Sequence, residues 1–102
     1  MSLAFYTTKK IQEYISKRNA FPDDLMYAIQ TFFIEKNEAS KIKYVRFTLH
    51  DIIEENKHIR RSLVVEICAD PHPNEIIIEL NKTLAREFSS LNAFAKLHCE
   101  YE

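Results

Sequence analysis

The side chain whose type and place most suggest chemistry is His72, set between two prolines in Asp70-Pro71-His72-Pro73-Asn74. An imidazole there can donate a hydrogen bond to an anion or carry a proton at neutral pH. The turn follows the carboxyl end of an apolar strand and precedes a helix, a position where ligands and anions often settle. Asp70 either joins that site or caps the helix, and the same five residues equally make a rigid connector. Glu66 is the other candidate, because it stands within the apolar run Leu63-Val64-Val65-Glu66-Ile67. A carboxylate so placed must find a cation, reach solvent, or hold its proton above the usual range. His72, Asp70 and Glu66 are therefore the candidate ligand-binding residues, with the Asp70–Asn74 turn as the place for a small molecule or anion.

The rest of the composition mostly removes chemistries. The 102 residues include no glycine, where ordinary usage is roughly 7%. Phosphate-cradling loops, dinucleotide fingerprints and nucleophile elbows all need a bare backbone, so none is present in its usual form. Ser40, Ser62, Ser89, Ser90, Cys68 and Cys99 stand in no turn with a partnered base, and no catalytic residue is assigned. His50, His58, His72 and His98 lack the close spacing of zinc ligands, so no metal or other cofactor is expected. Cys68 and Cys99 fall in apolar, strand-like stretches and read as buried reduced thiols, with a disulfide or a reactive thiol as the alternative. Fourteen basic and fifteen acidic side chains leave a net charge of −1, which offers no general field for nucleic acid or an anionic membrane. One basic stretch, Lys57-His58-Ile59-Arg60-Arg61, is expected to face Lys41, Lys43 and Arg46 across a hairpin. It reads as a charged edge that resists sheet-to-sheet association rather than as a nucleic-acid site. No apolar run, Ile76 to Ile78 included, approaches the length that spans a membrane, and the first residues do not form a secretory signal. The chain reads as a cytoplasmic single domain over residues 1–102.

The elements that must position these residues follow from periodicity. Ile11, Tyr14 and Ile15 repeat at helical spacing between Thr7 and Arg18, behind capping threonines. Pro22-Asp23-Asp24 starts a second helix with Leu25, Ile29, Phe32 and Phe33 on its apolar face and an end near Lys36-Asn37. Between Lys41 and Leu49 the period becomes two, placing Val45, Phe47 and Leu49 on one face and Tyr44, Arg46 and Thr48 on the other. A second strand, Ser62 to Ala69, is apolar enough to be central, and the two form a hairpin with a long, flexible, polar tip over Asp51 to Lys57. A third helix carries Ile77, Leu80, Leu84 and Phe88. A last strand alternates from Ala93 to Tyr101, with Phe94, Lys96 and His98 outward. Without glycine, Asn19, Asn37, Asn74 and Asn92 must mark the ends of elements, and one or more of them should adopt positive φ at a helix end.

The order α-α-β-β-α-β defines an α+β two-layer sandwich, a three- or four-stranded mixed sheet with helices on one face. The last strand–helix–strand unit makes its strands parallel, adjacent or one apart. An edge strand at Leu3 to Tyr6 would bring the arrangement toward a ferredoxin-like split.

Phe21-Pro22-Asp23-Asp24-Leu25 opening a helix that ends in Phe32-Phe33, a strand near Tyr44–Phe47, Leu63-Val64-Val65-Glu66-Ile67 and the closing helix and strand resemble the carboxy-terminal domain of the enhanced serine sensitivity (SseB) family. The resemblance spans Phe21 to Tyr101 and implies a bacterial cytoplasmic protein of unassigned biochemical role, with no catalytic residues to carry over. A good core pattern without a catalytic constellation points to a non-enzymatic interaction or regulatory module, acting through a sheet edge or an exposed apolar surface. Its partner would be another protein or a second copy, the latter through outward-facing Tyr44 and Phe94.

Overall fold

The computed structural model describes residues 3–53, 55, 59–70 and 74–98. Thr8 caps the first helix, α1 (Lys9–Ser16), its hydroxyl accepting the Ile11 N–H at 3.3 Å, and Ile11, Tyr14 and Ile15 form the buried face. Helix α2 (Pro22–Glu35) starts on the proline with Asp23 and Asp24 in its first turn, and it buries Leu25, Ile29 and Phe33. Both helices stop on an asparagine in the left-handed region, Asn19 at φ 58° and Asn37 at φ 58°. The following residue then turns its N–H back onto the last turn, Ala20 to the Ile15 carbonyl at 3.3 Å and Glu38 to the Phe33 carbonyl at 2.9 Å. That is the closure glycine ordinarily makes. After helix α3 (Asn74–Glu87) a short 3-10 turn, Ser89–Leu91, ends on Asn92 at φ 50°. Asn74 instead opens a helix.

The four strands are β1 (Phe5–Tyr6), β2 (Ile42–Ile53), β3 (Ile59–Ala69) and β4 (Ala93–Leu97). They make a mixed sheet in the order β1-β2-β3-β4, parallel at both outer pairs and antiparallel between β2 and β3. The α+β class and the fourth strand are as expected, but the split is not. Each parallel pair is adjacent, so two strand–helix–strand units stand back to back.

All three helices cover one face. Val45 and Phe47 of β2, Leu63, Val65, Ile67 and Ala69 of β3 and Ala95 of β4 join Ile15, Leu25, Ile29, Phe33, Leu80 and Leu84 in one buried cluster. Every residue from Ser62 to Ala69 is buried, which fits a strand paired on both sides.

Two expectations about the hairpin are corrected. The first part of the expected polar tip is strand: the ladder continues through Asp51↔Arg61 and Ile52↔Arg60 to Ile53↔Ile59, and residues 54 and 56–58 lie outside the described residues. Polar residues extend a ladder when their cross-strand partners suit them, and Arg61 grips Asp51 with two hydrogen bonds of 2.6 and 3.1 Å. The same register dismantles the expected basic ribbon. Arg46 lies opposite Glu66 and Ile42 opposite Ala69, at the far end of the hairpin from Arg60 and Arg61. Lys57 and His58 lie outside the described residues, as do Cys99 and Tyr101.

Candidate functional site

The sheet ends in edges that differ in how they are finished. The outer edge of β4 is closed by Asn81 of α3. The Ala95 N–H donates to its Oδ1 at 2.6 Å, and its Nδ2 donates to the Ala95 carbonyl at 3.0 Å. The outer edge of β1 is met by Gln30 of α2, whose Oε1 accepts the Leu3 N–H at 2.8 Å. Where β3 runs past the start of β4, the buried Tyr14 hydroxyl sits 3.0 Å from the Arg61 carbonyl and 3.1 Å from that of Leu91. Unpaired strand edges invite another chain, and here helical side chains occupy them.

Along β2 a longer length of edge has no such closure among the described residues. Strand β1 has 2 residues and β2 has 12, and β1 pairs only with Val45 and Arg46. The chain then turns away at Thr7 into α1. Val45 directs its N–H outward to the Ala4 carbonyl at 2.8 Å, and backbone groups alternate sides along a strand. Those of Leu49 and Asp51 therefore face the lane that β1 vacates, and no hydrogen bond among the described residues takes them up. Beside them lies a groove of about 430 Å³ whose lining includes Thr8, Lys10, Ile11, Phe47, Leu49 and Asp51. A second hollow of about 360 Å³ shares Lys10, Leu49 and Arg61 and continues along α1 past Glu13, Lys17 and Arg18.

The electrostatics of this groove are mostly cationic. Asp51 is the carboxylate nearest its floor, and hydrogen bonding from Arg61 holds its acid below the usual range, with Lys10 and His50 adding to the effect. Helix α1 brings its positive end to the groove mouth with Lys9 and Lys10 and no acidic residue in its first turn, the wrong sign for its dipole.

The face of the sheet away from the helices carries Glu66. Tyr6, Arg46, Glu66 and Lys96 form one cross-strand row. Glu66 is 6% exposed and finds cationic company, its Oε1 accepting from Arg46 Nε at 3.0 Å and its Oε2 lying 3.3 Å from His98 Nδ1. Arg46 Nη2 is 3.0 Å from His98 Nε2. A guanidinium only donates, so Nε2 accepts, and the imidazole proton sits on Nδ1, facing Glu66. Next to this triad the Tyr6 and Tyr44 rings meet edge to face at 5.5 Å, so Tyr44 is half-buried while Phe94 remains 39% exposed. The thiol of Cys68 is buried and unbridged.

Of the expected ligand residues, Glu66 and Asp70 are not brought together. Glu66 is packed mid-strand, whereas Asp70 is exposed just beyond β3 with its N–H on the Lys41 carbonyl at 2.9 Å. Neither lines the groove. His72 and its flanking prolines lie outside the described residues. The sequence reading missed Lys10, Leu49 and Asp51 as a group. The available signal was the disparity between a short run at Leu3–Tyr6 and a far longer alternation from Ile42 onward.

Fold and site define a small α+β domain with a stepped mixed sheet and an open strand edge along β2. Comparison with family models, with curated proteins and with solved structures finds no match to this chain.

Proposed function

We propose that this protein is a non-enzymatic interaction module of the cytoplasm that takes an extended segment of a partner as an added strand along β2. The observation that carries this reading is the step in the sheet, where β2 continues to Ile53 beyond a neighbour that ends at Tyr6. Strand addition derives affinity from main-chain hydrogen bonds and specificity from pockets for alternate side chains. The outward groups of Leu49 and Asp51 provide the first, and the apolar floor of Ile11, Phe47 and Leu49 provides the second. Capping of the other edges by Gln30, Asn81 and Tyr14 supports the same reading, since it makes the open length the exception.

Residue-resolved amide exchange tests it. Mixing the protein with a strand-forming peptide of alternating valine and threonine should slow exchange at Leu49 and Asp51 and leave Ala95 unchanged. Asp51→Pro removes one outward donor without touching the ladder to β3, and edges tolerate proline. It should abolish the protection, while Asp51→Ala keeps it. If no strand-forming peptide at millimolar concentration protects either amide, the reading is wrong.

A further inference from the structure

We infer that the strand received at this edge is acidic: an extended segment of another protein with one apolar anchor and aspartate or glutamate two residues to either side of it. This rests on the strand-addition reading above and adds the chemistry of the partner. Successive side chains of an added strand point alternately toward the helices and toward the open face of the sheet. On the helix side the first contact is the apolar floor of Ile11 and Leu49, and past it stand Lys10 and Lys17 of α1. On the open side the neighbours are Thr48 and Arg46, the latter already held by Glu66. An apolar anchor on the floor thus has lysines near the next positions on its own side of the strand, two residues away.

The charges already present do not neutralise this lining. Asp51 is engaged by Arg61 through both of its oxygens, and the single carboxylate of α1, Glu13, stands against Lys9, Lys10 and Lys17. A chain with a net charge of −1 has therefore gathered cations along this open edge. A carboxylate at the groove mouth relieves both the lysine pair and the helix dipole, whereas a lysine there meets repulsion from the same groups.

The test uses three peptides of equal length, each a threonine strand with a central valine and with glutamate, threonine or lysine two residues to either side of it, titrated by fluorescence anisotropy with amide exchange in parallel. The glutamate peptide should bind about 10-fold more tightly than the threonine one, a difference of about 1.4 kcal/mol. The lysine peptide should not bind, and added salt should erase the preference. Lys10 and Lys17 are exposed, so a Lys10→Glu, Lys17→Glu variant should fold and turn the preference toward the lysine peptide. Equal binding of all three peptides with Leu49 and Asp51 protected would overturn the acidic partner while leaving strand addition standing. No binding and no protection by any of them would remove the reading beneath it. A single-stranded oligonucleotide that binds more tightly than the glutamate peptide without protecting these amides would show a general polyanion surface and overturn the proposal.

Discussion

The outer edge of β4 and the outer edge of β2 are built from similar alternating strands, yet they are finished in opposite ways. At β4 an asparagine from the covering helix imitates a neighbouring strand, giving Ala95 both a donor and an acceptor. At β2 the neighbouring strand stops, and the chain leaves a groove where a continuation would lie. The difference teaches that the open edge does not follow from general neglect of exposed backbone. Helical side chains reach the sheet margins at Leu3, Ala95 and Arg61, and α1 runs past Leu49 without doing so.

The contrast is most easily broken at Asn81. Asn81→Ala leaves the Ala95 N–H and carbonyl without their partner in a half-buried place, at a cost of about 2 kcal/mol. The expected result is a melting temperature lower by about 10 °C, with concentration-dependent light scattering as the exposed edge finds other chains. An unchanged melting temperature and a clean monomer would mean that β4 needs no closure. Tyr14→Phe removes only the hydroxyl between the Arg61 and Leu91 carbonyls and should cost about 1 kcal/mol by urea denaturation, without scattering. Gln30→Ala frees a single N–H near the start of the chain, and about 0.5 kcal/mol is expected. The smallest effect belongs to the open edge itself. Asp51→Asn should leave the neutral-pH urea midpoint nearly unchanged, because exposed ion pairs contribute little. Arg61 lowers the acidity range of Asp51 in the folded state. Any contribution is therefore present above the ordinary carboxylate range and lost as pH falls through the lowered value. Wild type and variant should thus converge in strong acid, and a gap that widens there would contradict the pairing.

How far the molecule was legible follows the range of its interactions. The helix faces of Leu25, Ile29 and Phe33 and of Ile77, Leu80 and Leu84, and the inward faces of β2 and β3, could be read because burial repeats with the local period. The asparagine ends could be read because, with glycine absent, few residues tolerate the left-handed region. The hairpin register could not, since the Asp51 to Arg61 grip joins residues whose local pattern looks like a polar tip. Nor could the closures by Gln30 and Asn81, which join a helix side chain to a distant backbone group. Asn81 did leave a trace: asparagine is a poor helix former, and its place within α3 alongside Leu80 and Leu84 called for a tertiary reason. For the candidate site, the sequence leaves Glu66 between a cation, solvent and a retained proton, and in the fold Arg46 lies against it. The groove was invisible because it is made by where a strand ends.

The left-handed asparagines at 19, 37 and 92 also bear on the unfolded chain. A left-handed residue costs about 1 kcal/mol or more when it carries a Cβ, but a glycine in its place would enlarge the unfolded ensemble by about 0.4–1 kcal/mol of conformational entropy. The two terms are of similar size. A chain without glycine therefore starts folding from a narrower set of conformations, and that saving offsets part of the local strain at its helix ends.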